Sequence, residues 1–298
     1  MKLADIPIRD PFVLPVTDSG LYYLFGTKPL EGIGGPATGF DTYRSRDLIE
    51  WEGPIPAFRP PSDFWAKTQF WAPEVHAHDG RYFMFATFNP GKGYRGTGIL
   101  VSDQPEGPFI PWSDKAATPR HWQCLDGTLH IDEKHQPWIV FCHEWCQIRN
   151  GSVVAQRLSP DLRHGVGTPV FLFNATDAPW VRALTEKECA EWSVGPFPAY
   201  VTDGPFLHRT ASGALLMLWS SFGAKDYAMG IARSESGTLL GPWIQEEKPI
   251  WLEDGGHGMI FRAFDGRLFL TLHQPNDSPR ERAVFRELIE QGDTIRLK

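Results

Sequence analysis

The segment DGRYFMFATF, at residues 79–88, carries the pattern that decides the fold: a turn dipeptide followed by a run of aromatic and aliphatic residues. An apolar run of this length, bounded by a turn, is typical of a β-strand that is buried on both faces. The pattern recurs four more times: SGLYYLFGT (19–27), HQPWIVFCHE (135–144), SGALLMLWSS (212–221) and DGRLFLTLHQ (265–274). The sequence is therefore built from five copies of one unit.

A second short segment precedes each of these runs, and it starts polar and becomes apolar. The five segments are IRDPFVLP (8–15), WAPEVHAH (71–78), CLDGTLHID (124–132), VTDGPFLHR (201–209) and GGHGMIFRA (255–263). A repeat of about 50 to 75 residues that holds several antiparallel strands is typical of a propeller blade. We therefore predict an all-β fold, a five-bladed β-propeller, with residues 1–298 forming a single domain in which 283–298 supply outer strands of the fifth blade.

The third unit is the longest because it carries an insertion at about 174–200. This insertion is predicted to contain the only helix of the chain, around Leu184–Trp192. Three of its long side chains are expected to reach over one end of the central channel: Trp180, Arg182 and Trp192.

Composition and charge argue against several classes of function. The formal net charge is −7 and no basic run exists, which disfavours a nucleic-acid partner. No apolar stretch of about 18 residues exists, which disfavours a membrane span. The N-terminal segment lacks the apolar core of a signal peptide, so a cytoplasmic location is expected. Nothing in the sequence indicates the oligomeric state.

The four cysteines do not follow the spacing of a zinc site. Buried free thiols are the expected state of Cys124, Cys142, Cys146 and Cys189. The segment HEWCQ at 143–147 begins like the HExxH motif of zinc proteases, but it lacks the second histidine and is predicted to be strand.

Each segment of the second kind carries one titratable residue near its polar start. In a propeller the first strand of every blade lines the central channel, so these residues are expected to converge. They are Asp10, Glu74, Asp126, Asp203 and His257. Taken singly, an Asp before Pro or Gly is a common turn residue. Five titratable groups at matching positions of five repeats instead favour a functional ring.

A ring of carboxyl groups suits the hydrolysis of glycosidic bonds. One carboxylic acid must protonate the leaving oxygen, and one carboxylate must activate water or attack directly. Crowding and burial move the pKa values of neighbouring carboxyl groups apart, which separates the acid from the base.

The segments IRDPF, WAPEV, LDG, DGPFL and GGHGM, in this order, resemble glycoside hydrolase family 43, and the resemblance covers all five blades. It implies inverting hydrolysis of arabinofuranosides, xylosides or related glycosides, in small oligosaccharides. It implies that Asp10 is the general base and that Asp126 tunes and orients the acid. The general acid of the family corresponds in position to Asp203.

This acid position departs from the family pattern, which usually has Glu-Gly-Pro where this chain has Asp203-Gly204-Pro205. An Asp side chain is one methylene shorter than Glu, and catalytic geometry tolerates errors of only about 0.5 Å. Three explanations stay open. In the first, the pocket has moved inward and Asp203 still protonates the leaving group. In the second, another acid such as Glu144 or Glu74 protonates it, and in the third, the protein has lost hydrolytic activity.

The resemblance also implies a role for His257, because the blade-five histidine of many relatives faces a metal ion or a water cluster in the channel. A Ca²⁺ ion there would be held mostly through water. His273, at the end of the last apolar run, is a lesser candidate for the pocket or equally for the core.

Aromatic and polar side chains near the motifs are candidates for sugar binding. For the aromatic rings, stacking on the sugar and packing in the core are equal alternatives. The candidates are Phe40, Phe70, Trp71, Glu74, Glu144, Trp145 and Arg262.

Two functions of other classes stay open from the sequence. One is a non-catalytic sugar-binding propeller, which the Asp at the acid position favours. The other is a related five-bladed phosphorylase, which would need clustered basic groups beside the ring, with Arg262 and His257 as candidates.

Overall fold

The propeller is built from five four-stranded antiparallel sheets that follow one another along the chain. The computed structural model describes residues 1–30, 37–192 and 198–298. Within these residues, hydrogen-bonded neighbours in every sheet are consecutive strands of the sequence, so each blade is a simple meander. The predicted all-β, five-bladed fold is confirmed.

The first strand of each blade is the innermost, and the bounds follow the two kinds of segment identified in the sequence. Blade 1 comprises β1 Arg9–Val16, β2 Leu21–Thr27, β3 Phe40–Ser45 and β4 Glu52–Phe58. Blade 2 comprises β5 Thr68–His78, β6 Arg81–Asn89, β7 Gly96–Ser102 and β8 Ile110–Pro111. Blade 3 comprises β9 Cys124–Ile131, β10 Pro137–His143, β11 Ser152–Leu158 and β12 Gly165–Asn174. Blade 4 comprises β13 Asp203–Arg209, β14 Leu215–Phe222, β15 Tyr227–Ser234 and β16 Trp243–Gln245. Blade 5 comprises β17 Gly256–Arg262, β18 Leu268–Gln274, β19 Arg282–Gln291 and β20 Thr294–Leu297.

Two short α-helices occur in the described part of the chain, α1 Trp145–Ile148 and α2 Glu186–Glu191. The helix predicted in the insertion corresponds to α2, whereas residues 193–197 lie outside the described residues. The segment 143–147 was expected to be strand throughout, but β10 ends at His143 and a single helical turn follows. The turn forms because Trp145 is anchored in a small core cluster with Leu184 and Val201.

The core lies between the blades and is formed largely by the second strands. Every residue of β14 up to Ser221 is buried, which is what an apolar run packed on both faces requires. Between blades 1 and 2 the packing is aromatic, with Phe58 of β4 and Phe88 of β6 in an edge-to-face arrangement at a centroid separation of 6.2 Å. Such pairs fix ring orientation as well as burying area, so they set how neighbouring blades sit together.

Each innermost strand contains a β-bulge at its polar start, and the bulge residue has a positive φ angle. These residues are Asp10 (51°), Ala72 (45°), Asp126 (56°), Gly204 (53°) and His257 (44°). The residue before each bulge pairs with the second strand: Arg9 with Thr27, Trp71 with Thr87, Leu125 with Cys142, Asp203 with Ser220 and Gly256 with His273. Residues with a Cβ rarely adopt this conformation, and bulges often re-aim side chains beside active sites.

Blades 1 and 5 meet where the two ends of the chain come together, at a boundary that we call the closing seam. The Ile8 amide donates to the carbonyl oxygen of Glu281 at 3.2 Å, and Arg282 Nε donates to the carbonyl oxygen of Ala4 at 2.9 Å. The Arg9 guanidinium also pairs with the buried Glu281 carboxylate at 3.0 Å. The ring is thus closed by segments 272 residues apart in sequence.

None of the helices in the residues that the structure describes has the length and apolar character needed to cross a membrane.

Candidate active site

The inner ends of the first strands bring three of the predicted residues to equivalent positions. Asp10, Asp126 and His257 are the bulge residues of blades 1, 3 and 5. The expectation that all five predicted residues share one register is wrong. Blade 4 has Gly204 at the bulge, with Asp203 one residue before it, and blade 2 has Ala72, with Glu74 two residues later.

A single imidazole joins the carboxyl groups of blades 1 and 3. His257 Nδ1 lies 3.3 Å from Asp10 Oδ1 and 3.6 Å from Asp126 Oδ2. All three side chains are buried. Burial by itself lowers the pKa of His257, but the negative charges of Asp10 and Asp126 outweigh it and raise that pKa. This shift favours the protonated form of His257, whose positive charge then counters the carboxylates of the site.

Asp10 is held in its ionised form. Burial by itself raises the pKa of Asp10, but the charges of His257 and Arg9 outweigh this effect and hold the pKa below its ordinary value. The Thr27 hydroxyl donates to Asp10 Oδ2 at 2.7 Å, which also favours the carboxylate. Asp10 therefore has the protonation state that a general base needs.

Asp126 and Asp203 are shifted in the opposite direction. Burial raises the pKa of Asp126 to about 7, against the opposing charge of His257. Burial also raises the pKa of Asp203, whose Oδ2 accepts a hydrogen bond from the Tyr227 hydroxyl at 2.9 Å. The site thus holds one ionised carboxylate beside two that favour the protonated form, which is the division that acid–base catalysis uses.

The bulge residues are linked from blade to blade by a circle of hydrogen bonds, which we call the bulge ring. The backbone amide of a bulge donates to a side chain on the second strand of the preceding blade. The pairs are Ala72 to Thr27 Oγ1 (2.7 Å), Asp126 to Thr87 Oγ1 (2.8 Å), His257 to Ser220 Oγ (2.8 Å) and Asp10 to His273 Nδ1 (3.3 Å). The Gly204 amide is the exception, because it donates to Asp126 Oδ2 at 3.0 Å.

His273 belongs to this ring as a neutral imidazole. Burial and the nearby charge of Arg9 lower the pKa of His273 to about 3. Its Nε2 lies 3.2 Å from Asn276 Oδ1, which leaves Nδ1 as the acceptor for the Asp10 amide. The lesser candidate of the sequence thus lies in contact with the predicted base.

Gly204 is needed for the approach of His257 as well as for its own conformation. A Cβ at this position would lie 2.6 Å from the His257 ring, and φ is +53°. A larger residue would therefore push the imidazole away from the two carboxylates.

Glu144 and Trp71 lie on the blade 2–3 side of the site, joined by an arginine that the sequence did not single out. Arg95 Nε is 2.8 Å from Glu144 Oε2, and the guanidinium stands 5.0 Å from the centroid of the Trp71 ring. Burial raises the pKa of Glu144 to about 7, against the charge of Arg95, and the charge of Asp203 adds to the rise. A second protonatable carboxyl group thus lies within electrostatic reach of Asp203.

Several predicted sugar contacts are placed elsewhere. Phe40 is fully buried as the first residue of β3 and packs on Phe58, Phe70 and Phe88, so core packing is correct for both Phe40 and Phe70. Trp145 is buried in the cluster that anchors α1. Phe40 and Phe70 lie in the core between blades 1 and 2, and Trp145 packs under the insertion, so none of the three rings is a sugar platform at the site.

Glu74 stays within electrostatic reach of His257, whose pKa its charge helps to raise, whereas Arg262 is displaced from the catalytic groups. Glu74 is buried further along β5, where its Oε2 lies 3.1 Å from His76 Nε2. Arg262 ends β17, at the opposite end of the strand from His257, and donates to the carbonyl oxygen of Gly266 at 2.9 Å. The prediction that Arg262 contacts substrate in this site is wrong.

The insertion does not place all three predicted side chains over the channel. Trp180 packs against Trp219 at a centroid distance of 5.0 Å, as part of the core of blades 3 and 4. Arg182 forms a two-pronged pair with Glu188 of α2. Trp192 is 55% exposed.

The residues that sequence reasoning missed are of two kinds. Thr27, Thr87 and Ser220 occupy matching places on the second strands, so aligning the five repeats on these ends would have found them. Tyr227 and Arg95 lie near third strands, where the repeat has no shared polar position. No local signal identifies them.

The expected Ca²⁺ ion finds no set of direct ligands. Among the described residues no group of three or more His, Cys, Asp and Glu side chains is arranged to hold a metal ion. His257 Nδ1 faces Asp10 and Asp126, so this nitrogen is already engaged by two carboxyl groups. The side chains of the site therefore do not fit direct coordination. All four cysteines are free thiols.

Comparison with known proteins agrees with this geometry. The family model described as glycosyl hydrolases family 43 matches residues 5–291. An endo-arabinase structure from Bacteroides thetaiotaomicron is 40% identical with a TM-score of 0.89, and the match covers 98% of this chain and 97% of that chain. The crystal structure of a thermostable family-43 glycoside hydrolase, 24% identical with a TM-score of 0.77 over 98% of this chain and 93% of that one, shares the fold.

Curated relatives match over shorter segments. A xylosidase/arabinosidase from Humicola insolens is 40% identical over 81 residues, which are 27% of this chain and 24% of that protein. A xylosidase/arabinosidase from Bacteroides ovatus is 33% identical over 72 residues, which are 22% of each. The matched part of this chain thus spans only about a quarter of the length of the curated relatives.

Proposed function

The chain belongs to glycoside hydrolase family 43, and on that premise we propose that it cleaves arabinofuranosyl, xylosyl or related glycosidic bonds in small oligosaccharides, with inversion at the anomeric carbon. The observation that carries the proposal is the meeting of Asp10, Asp126 and Asp203 around the protonated His257, with pKa values moved in different directions. Inverting hydrolysis needs an ionised base and a protonated acid in one pocket.

In the proposed reaction, Asp10 takes a proton from a water molecule while the water oxygen bonds to the anomeric carbon. Asp203 gives its proton to the glycosidic oxygen as the bond between that oxygen and the anomeric carbon breaks. The products are a free sugar and an alcohol, with Asp10 protonated and Asp203 ionised. Exchange with solvent then restores both groups.

The neighbouring groups keep these two roles apart. His257 lowers the pKa of Asp10, so the base stays ionised. Asp126 accepts from the amide of Gly204, the residue that follows the proposed acid, and thereby fixes the backbone on which Asp203 stands. The Tyr227 hydroxyl orients the Asp203 carboxyl group through Oδ2.

Asp203 is the acid that we favour, and Glu144 is the second candidate. Asp203 occupies the acid position of the family. Glu144 is buried with a pKa raised to about 7, but its ion pair with Arg95 favours the ionised form. The raised pKa makes Glu144 a chemically reasonable substitute for Asp203, and the ion pair with Arg95 is the reason that we rank it second.

The test is hydrolysis of aryl arabinofuranosides, xylosides and galactosides by the wild type, Asp203→Asn and Glu144→Gln, with Asp18→Asn in an exposed turn as the control. Cleavage by the wild type and the control but not by Asp203→Asn supports the proposal and identifies the sugar. Activity lost in Glu144→Gln alone moves the acid role to Glu144. A wild type that binds glycans but releases no sugar overturns hydrolysis in favour of a sugar-binding propeller, the alternative that the shorter acid favours.

Phosphorolysis receives less support from the site. The guanidinium groups of Arg9 and Arg95 are each paired with a buried carboxylate, from Glu281 and Glu144. Paired in this way, they offer little net positive charge to a phosphate ion.

From the sequence we also propose a Ca²⁺ ion in the channel and a cytoplasmic location. Any Ca²⁺ would be held through water, and no step above depends on it. Removal of divalent cations with EDTA tests the ion, because a bound Ca²⁺ would raise the melting temperature and its loss would lower it.

A further inference from the structure

The bulge ring has one irregular member, and it lies in the middle of the proposed catalytic groups. Thr27, Thr87, Ser220 and His273 each accept the amide of the next bulge. Cys142 occupies the matching place in blade 3, since it pairs with Leu125 directly before the bulge. A thiol sulfur is a weak acceptor compared with a hydroxyl oxygen or an imidazole nitrogen.

The amide that Cys142 would have received is taken by a carboxyl group instead. Gly204 N–H donates to Asp126 Oδ2 at 3.0 Å. Cys142 is fully buried, and burial raises the pKa of its thiol well above the ordinary value, so the sulfur stays neutral. The neutral thiol lies within electrostatic reach of Asp126 and Asp203, interacts with the Thr202 side chain, and is a weak competitor for the amide.

We propose that Cys142 is a positioning residue for the reaction proposed above, because its weak sulfur acceptor leaves the Gly204 amide to Asp126. The resulting bond ties the blade 3 carboxyl group to the blade 4 backbone at the peptide that joins Asp203 and Gly204. This inference rests on the proposed function, since it assigns Cys142 a part in setting the geometry and protonation of the same site.

A donor aimed at a carboxyl oxygen favours the ionised form of that group. The Gly204 amide therefore moderates the rise that burial causes in the pKa of Asp126. If the amide were taken away, Asp126 would hold its proton to a higher pH, and its tie to the Asp203 peptide would be lost.

The experiment compares Cys142→Ser with Cys142→Ala. The serine hydroxyl can accept the Gly204 amide as Ser220 accepts that of His257, whereas alanine removes the sulfur and supplies no acceptor. In the pH profile of kcat/KM, we expect the limb that reports Asp126 to lie about one pH unit higher in Cys142→Ser than in the wild type. A shift of about one unit corresponds to the free energy of one lost charge-assisted hydrogen bond. Cys142→Ala is expected to keep the wild-type profile.

Two further variants control for folding. Cys124→Ser places a hydroxyl at another buried cysteine of the same blade, outside the bulge ring, and is expected to keep the wild-type profile. Cys142→Thr introduces the residue found at the matching place in blades 1 and 2, and it substitutes for Cys142→Ser if that variant does not fold. Equal profiles for the serine and alanine variants would overturn the proposal.

A second readout does not depend on hydrolysis. A carboxyl group whose pKa is raised on folding destabilises the protein increasingly as pH rises from its unfolded value to its folded value. A further rise in the pKa of Asp126 should therefore make the melting temperature of Cys142→Ser fall relative to Cys142→Ala between pH 6 and pH 8. A difference in melting temperature between the two variants that stays constant from pH 6 to pH 8 contradicts the inference about Cys142. Because this measurement needs no substrate, it can fail independently of the proposed hydrolysis.

Discussion

Asp10 shows most clearly how one residue combines strain and function. Its φ angle of +51° is a conformation that costs a residue with a Cβ on the order of 1–3 kcal/mol. Its amide is fixed by His273, and its carboxylate is fixed by Thr27 and faces His257. These contacts offset the strain and hold the carboxylate at a place that an ordinary strand residue would not reach.

The first prediction concerns the charge of this residue. Asp10→Asn keeps the shape of the side chain but cannot take a proton from water, so kcat should fall by about 10²–10⁴-fold. The melting temperature should change little compared with that loss. Hydrolysis of the best substrate from the panel, together with thermal unfolding, checks this. A variant that keeps most of its rate would show that Asp10 is not the base.

The second prediction concerns pH dependence. His257→Gln removes a positive charge that lies 3.3 Å from Asp10 Oδ1 and holds the pKa of Asp10 down. Without it the pKa of Asp10 should rise by about 1–3 units, the usual effect of an opposite charge at this distance. The acid limb of the kcat/KM profile should move to higher pH by a similar amount. An unmoved acid limb would assign that limb to another group.

At the scale of the elements, the bulge ring joins catalysis to the packing of blades. The Thr27 hydroxyl accepts the amide of Ala72 in blade 2 and donates to Asp10 in its own blade. One hydroxyl thus connects two blades and steadies the proposed base.

The third prediction follows from this double role. Thr27→Val leaves the buried Ala72 amide without its acceptor, which should lower the free energy of unfolding by about 1–3 kcal/mol. It also removes a donor that favours ionised Asp10, so the acid limb should move to higher pH. Urea unfolding measures the first effect, with Thr17→Val in an exposed turn as a control near zero. Loss of stability with an unchanged pH profile would show that Thr27 supports the packing of blades 1 and 2 but does not set the pKa of Asp10.

The elements could be predicted from the sequence much better than the register within them. Five aromatic runs and five polar-to-apolar segments located the second and first strands of every blade. The inner strands were expected to place Glu74 and Asp203 in line with Asp10, but a bulge inserts a residue and changes which side chains align. Sequence spacing does not show where that extra residue lies.

The same limit explains the misplaced sugar contacts. Phe40 was a candidate for sugar binding and instead begins β3, facing the interior between blades. Arg262 lies on the correct strand but at its far end. Arg95 was missed because it reaches the site from a different blade than Glu144, and such contacts depend on how blades pack. That residues 1–298 form a single domain stays a prediction.

At the scale of the whole molecule, the closing seam and the proposed site share residues. Arg9 contacts Asp10 at 3.5 Å and Glu281 at 3.0 Å, so the group that helps ionise the base also joins blade 1 to blade 5. Glu281 is fully buried, so this ion pair lies in the interior of the seam. Closure of the ring and preparation of the base are therefore coupled.

The fourth prediction tests this coupling. Glu281→Gln removes the carboxylate that pairs with Arg9 at 3.0 Å and leaves the guanidinium with Asp10 alone, which should lower the free energy of unfolding by about 1–3 kcal/mol. Glu287→Gln on β19, which breaks a surface pair with Lys298, should cost about 0–1 kcal/mol. Thermal unfolding of both variants checks the difference. Equal losses would show that the seam does not depend on this ion pair.

The closing seam also fixes when the protein can first act during its synthesis. Asp10 precedes His257, His273 and Glu281 in the chain, so it is translated well before them. Until blade 5 has been translated and has docked, the carboxylate of the base lacks the imidazolium and the guanidinium–carboxylate pair that set its charge. We therefore expect a chain that stops before blade 5 to lack the proposed hydrolysis, which needs the completed ring.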